Sequence, residues 1–342
     1  APGTVNSFTV LTDAATFPSR RVEEWKYSDL KRFLREAPEP SGTAVVGAPG
    51  PFYDLGGDAV VFANGRPVGV TDFIASGDQT LRLRFISDAV GPGHTAAARI
   101  VARPGARLLL LETHEGMGSA YVAHNKVEID VAADAEVIRV VLTDEPADAI
   151  SVAEAEVRLE AGGRYRQTVI ATGARLQRHE TRLRHGAEGA DARVDGLYLL
   201  NGARHCDQTS VIDHVAPNGV TSQLIKGVVR DEARGVFQGK ILVQKGADDT
   251  DARMGHHGLI ASDRGEIDVK PELIIYADEV QCAHGATVGT LDESALFYMQ
   301  QRGISADEAR ALLTHAFLIE VVDRIEHEGA REVVREWLTA RL

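Results

Sequence analysis

From about Ala98 to Ala286 the chain keeps a single texture, and that texture limits its fold more than any other feature. Short runs of β-branched residues and leucine alternate with polar ones: KVEIDV (126–131), EVIRVVL (136–142), AEVRLEA (155–161), RYRQTVIA (164–171), RVDGLYLL (193–200) and TSVIDHV (209–215). Successive residues of a strand point to opposite faces, so this alternation fits strands with one face buried. Gly, Asn and Asp punctuate the runs about every ten residues. No helical period of usable length interrupts them. So long a series predicts a mainly β fold, as a sandwich, a barrel or a solenoid. Periodicity does not choose among these, and no clean repeat register announces a solenoid.

Both flanks read differently. Residues 1–40 are charged and helix-like, with two short amphipathic pieces from Asp13 to Phe17 and from Glu23 to Leu34; Trp25, Leu30, Phe33 and Leu34 form the apolar stripe, and Trp25 is expected as a packing anchor. Ala37–Pro51 reads as a linker, and 58–72 as a hairpin turning at Asn64-Gly65. After the β region, Thr290-Leu-Asp-Glu293 and Ser305-Ala-Asp-Glu308 have the form of capping boxes. The helices they open carry apolar residues at three-and-four spacing, and a last helix is expected over Ala330–Leu342. These helices are short of core of their own, so they should lie on the β region and leave apolar surface for a partner. The expected division is 1–95, 96–290 and 291–342.

With 342 residues the chain can bury a sizeable core. Its net charge of −13 argues against nucleic-acid binding, because no basic surplus is present to neutralise phosphates. The basic cluster Arg175–Arg184 is read as a solvated strand face. The longest apolar runs are too short for a membrane span. Two cysteines exclude a disulfide framework, and with no leader-like stretch visible a cytoplasmic location is expected.

The same two cysteines cannot by themselves make a four-thiolate metal site. Cys282 and His284 are the best candidate pair: at i and i+2 of a strand they share a face and could meet one ligand. His205-Cys206 and His256-His257 are adjacent, so each pair should face opposite ways. Glu272, Asp278 and Glu279 are read as solvated strand edges. No phosphate-binding loop is present, since GVFQGKI (235–241) has the wrong spacing, and neither a G-x-S-x-G elbow nor an H-E-x-x-H helix occurs. A nucleotide hydrolase is therefore not expected on this chain.

Three blocks carry a resemblance. KPELIIYADEV (270–280), CAHGATVG (282–289) and LDESALFYMQQRGI (291–304) form the first, RRVEEWKYSDL (20–30) the second, and SQLIKGVV (222–229) with GVFQGKILVQKGADDTDA (235–252) the third. Together they resemble the SufB/SufD family of iron–sulfur cluster assembly scaffold subunits, on its SufD side. The resemblance implies a right-handed parallel β-helix flanked by an N-terminal helical segment and a C-terminal helical domain. It implies pairing with SufB, or with a second copy as a homodimer when isolated, along edge strands 235–245 and 270–280. It also implies recruitment of the ATPase SufC by the helix pair 291–327, with Leu296, Phe297, Leu312, Leu313 and Phe317 as contact residues. His284, and less directly Cys282, would meet iron or a nascent cluster held transiently at the shared face, nothing being stably bound by the chain alone. Three rivals stand beside this reading: a SufB-type subunit, a β-helix enzyme acting on polysaccharide, and a free-standing metal carrier. The EEWKYSDL block and the scarcity of cysteine speak against the first. Aromatics at 6% and unclustered acids speak against the second.

Overall fold

A computed structural model describes residues 12–342. Eighteen strands wind into two facing sheets, one of ten strands and one of eight. Alternate strands of the chain join alternate sheets, and every ladder from Asp78 onward is parallel. The fold is therefore a parallel β-helix with two strands to a turn. Its step varies: Arg107 pairs with Glu136, 29 positions on, Ile150 with Leu176, 26 on, and Arg234 with Glu266, 32 on.

The ladder already includes Asp58–Ala63 and Asp78–Ser87, upstream of the boundary at 95 expected from texture. The Asn64-Gly65 hairpin is present, pairing Ala63 with Arg66. Both turn residues have positive φ (45° and 76°), as the tight turn that matches strand twist requires. The N-terminal pieces are single turns rather than amphipathic helices: 3-10 turns at Ala14–Thr16 and Glu23–Trp25, and α1 over Leu30–Phe33. They lie across the outer face of the eight-stranded sheet, where Phe17, Trp25 and Leu30 pack on Val122, Ile150, Val152 and Leu176. Residues 1–11, part of the segment expected to be helix-like, lie outside the described residues.

One side of each strand faces the lumen. Its apolar part stacks Leu81, Leu110, Val127, Ile129, Val157 and their neighbours along the axis. A polar band interrupts it, built on Glu112, which accepts from Arg139 Nε and Nη2 at 2.9 Å and pairs with His114 at 2.8 Å. Pairing holds Glu112 at about 2 although burial alone would raise it, with Arg139 the strongest favourable partner and His114 next.

Three helices follow: α2 (Glu293–Gln301), α3 (Ala306–Asp323) and α4 (Glu328–Thr339). Ser305 caps α3 as expected, accepting from Glu308 N at 3.3 Å. The cap of α2 is Asp292 rather than Thr290, its carboxylate accepting from Ser294 N and Ala295 N. As expected, α3 and α4 lie on the β region: Leu318, Val321, Val322, Val334 and Leu338 pack on the outer face of the ten-stranded sheet, against Leu111, Val140, Leu142, Leu197 and Val228. Charged pairs add to this seam, with Lys226 bonded to Glu320, and Arg324 to Asp195 at 2.7 Å.

Candidate functional site at the open end of the helix

The last turn is made by Glu266–Ile275 and Val280–Gly289, each the terminal strand of its sheet. Among the described residues, no helix caps this end of the lumen with a buried seam, since the helical core sits on the side of the solenoid. The terminal strands differ sharply from those before them. Residues along Glu266–Ile275 are mostly half-buried, and most of Val280–Gly289 is exposed. This corrects part of the expected edge: Arg234–Val243 is paired on both sides, with His205–His214 and Glu266–Ile275, so it is an interior strand with no backbone edge to offer. The run 270–280 is likewise not one strand, because the chain turns at 276–279.

Cys282 and His284 both lie in Val280–Gly289, opposite Ala252 and Met254 of the preceding turn. Ala252 and Met254 face the lumen, so Cys282 and His284 continue the inner row to the mouth of the lumen. Cys282 is half-buried against the lumen residues, whereas His284 is exposed. The structure thus places thiol and imidazole on one face, as their spacing implied. Burial pushes the Cys282 thiol up from its ordinary value, a backbone hydrogen bond with Ala252 opposing and Asp251 adding to the rise. The thiol is therefore protonated near neutrality, and a cation or donor brought by another molecule would have to draw off its proton. Among the described residues, no group of three or more His, Cys, Asp or Glu side chains is placed to hold a metal ion.

Cys206 faces the lumen and His205 the N-terminal segment, where it bonds Ser28 at 2.9 Å. His256 is inward and bonds Tyr198 at 2.9 Å, while His257 is outward and bonds Thr287 at 2.7 Å. Each adjacent pair therefore splits across its strand. Glu272 lies near Lys240 and Lys270, at 3.6 and 3.4 Å, and Asp278 and Glu279 are exposed.

The basic cluster is not a solvated face throughout. Arg178 is fully buried, donating to Asp207 at 2.5 Å and to Glu180 at 2.8 Å, with Trp25 stacked at 4.4 Å. A buried guanidinium needs such partners, and Asp207 comes from the next turn, invisible to local reading. Trp25 is thus the anchor it was read to be.

On the helices, Phe297 is 63% and Leu312 46% exposed. Leu313 and Phe317 are half-buried, Phe317 under Lys226 at 4.5 Å. Leu296 is only 5% exposed, because it turns inward to anchor α2, and so it does not stand on the outer face with Phe297. Tyr298 is exposed beside Phe297.

This geometry defines a parallel β-solenoid whose last turn ends both sheets and whose flank carries helices with exposed aromatics. A family model described as the SUF system FeS cluster assembly SufBD core domain matches residues 85–317, more than half of the chain. The chain belongs to the SufBD family. It is similar to an iron–sulfur cluster assembly SufBD family protein of Synechocystis, 33% identical over 214 residues, covering 63% of this chain and 47% of that protein. It is also similar to the iron–sulfur cluster assembly protein SufD of Escherichia coli, 34% identical over 170 residues, with coverages of 50% and 40%. A SufBD family protein of Mycobacterium tuberculosis aligns at 24% identity over 375 residues, 96% of this chain and 89% of that one. The chain spans less than half the length of the first two. No helix among the described residues is long and apolar enough to cross a membrane.

Proposed function

We propose that this chain is a SufD-type scaffold subunit of iron–sulfur cluster assembly, completing its site only against a partner. The observation that carries this reading is the open last turn, which presents the Cys282 thiol and the exposed His284 imidazole beside an unpaired strand edge. SufB, or a second copy when the chain is alone, would extend that edge and supply the ligands one chain lacks. Iron or a nascent cluster is the cargo, met by the imidazole of His284. The exposed side chains Phe297 and Leu312 would seat SufC, whose ATP hydrolysis would drive the subunits against each other, leaving no catalytic step to this chain.

The test is reconstitution with SufB and SufC. His284→Ala should leave the fold and complex intact, since the side chain is exposed, and lower cluster yield. Leu312→Glu should weaken SufC capture without lowering the melting temperature. Unchanged cluster yield in the first variant sinks the site assignment, and unchanged SufC capture in the second sinks the docking assignment.

A further inference from the structure

The two halves of α3 differ in what they face. Leu318, Val321 and Val322 of the second half pack on the sheet, whereas Asp307, Arg310, Ala311 and Thr314 of the first half line a cavity. These four are spaced i, i+3, i+4 and i+7, so they share one face of the helix. More of the wall comes from two loops of the solenoid, at Arg230-Asp231 and Ala261-Ser262, and from Leu291, between the last strand and α2. The enclosed space measures about 350 Å³.

Three groups in this wall lack the partners that the structure supplies elsewhere. Arg230 is half-buried, yet among the described residues its guanidinium meets no carboxylate and no hydrogen-bond acceptor. The buried Arg139, Arg166 and Arg178, by contrast, each hold a carboxylate, at 2.8, 2.6 and 2.5 Å. Arg310 has only Asp307, at 3.5 Å and one turn back on its own helix. Thr314 is 1% exposed, and among the described residues nothing bonds its Oγ1. A threonine inside a helix ordinarily offers that hydroxyl to a carbonyl one turn back. The two acidic side chains of the wall do not answer this surplus of donors. Asp231 accepts from Gly202 N at 2.8 Å, and the Asp307 side chain is fully exposed to solvent.

We propose that this cavity binds a small phosphomonoester, its anionic head held by Arg230 and Arg310 and its body lying along Leu291 and Ala311. A phosphate presents three acceptor oxygens on one centre with about two negative charges, and the guanidinium fork matches it in geometry. Two arginines balance that charge, and the Thr314 hydroxyl gains the acceptor it lacks. The bound head would tie Arg310 of α3 to Arg230 of the solenoid. The site uses neither Cys282 nor His284, so it stands or falls apart from the cargo reading.

Glycerol 3-phosphate is the probe, titrated calorimetrically into the full chain at constant ionic strength, with glycerol and succinate as comparisons. Wild type should bind it with a dissociation constant of about 1 mM or below, succinate more weakly and glycerol not at all. Arg230→Gln and Arg310→Gln should each weaken binding by about tenfold or more, while melting with wild type because neither guanidinium holds the fold together. Thr314→Val keeps the shape and removes the hydroxyl. It should melt at or above the wild-type midpoint, since an unpaired buried hydroxyl is lost, and still bind the probe more weakly. A silent wild type, an equal response to glycerol or succinate, full-strength binding by either arginine variant, or a Thr314→Val protein that binds normally each overturns the proposal.

Discussion

Replacing Gly227 by alanine should destabilise the solenoid out of proportion to the single methyl added. Gly227 faces the lumen from Val220–Val229, and a Cβ there would lie 1.9 Å from Cε2 and Cζ of Tyr198. Gly235 lies against the same edge from the opposite sheet, where a Cβ would also fall 2.4 Å from Cε2, so the ring has little room on either side. Tyr198 is fully buried, and its phenol bonds His256 Nε2 at 2.9 Å two turns away. Overpacking of a filled core costs about 1–3 kcal/mol, and displacing the phenol forfeits about 1 kcal/mol more. A loss of about 2–4 kcal/mol, at about 2 °C per kcal/mol for a chain of this size, lowers the melting midpoint by about 4–8 °C. The control is Gly285→Ala on the terminal strand, where an added Cβ meets nothing within 4 Å. It should be neutral or slightly stabilising, since glycine in a strand costs about 0.5–1 kcal/mol. Adding Tyr198→Leu to Gly227→Ala removes the clashing ring and should recover part of the loss. Circular dichroism melts of the four proteins decide the matter. If Gly227→Ala melts with wild type, or Gly285→Ala is equally damaging, the packing account of the lumen is wrong.

Two further expectations rest on titration. Burial lowers His94, His205 and His214 to about 4 and His179 and His256 to about 3. The unfolded chain then binds more protons than the folded one below about pH 6.5, so stability should be full above that value and fall steadily towards pH 4.5; a flat melting midpoint between pH 7.5 and 4.5 would show these rings are not neutral and buried. Because burial raises both cysteines, iodoacetamide should modify half-buried Cys282 slowly at pH 8, with a rate still climbing above pH 9, and spare fully buried Cys206; rapid modification at pH 7 would contradict the site described.

The strands were legible because their inner and outer residues alternate, but the solenoid was not. Turns of 23 to 32 residues leave no fixed repeat to find, and lumen positions such as Glu112, Arg139, Gln167 and Gln208 are polar, which blurs the inner row. Arg178 shows the same limit. Its sequence neighbours suggest a wet face, while its burial depends on Asp207 one turn on and on Trp25 from the far end of the chain. Cys282 and His284 were legible as a pair on one face because that follows from strand geometry alone. That their strand is the last of the ladder, and that 235–245 is not an edge, depends on the order of strands in space.

That order also bears on which edge seeks a companion. Natural sheets protect exposed edges with charge and proline. Glu266–Ile275 is protected in this way, carrying Glu266, Asp268, Lys270, Pro271 and Glu272. Val280–Gly289, equally terminal in its own sheet, has no charged residue and no proline along its length. Helices α3 and α4 could have covered it, but their apolar residues and the Lys226–Glu320 and Arg324–Asp195 pairs bind them to the side of the solenoid instead. An unprotected edge is an aggregation hazard unless something regularly occupies it. The two reactive side chains of the last turn lie on that edge, so the strand that pairs with a partner would also bring the partner's ligands to Cys282 and His284.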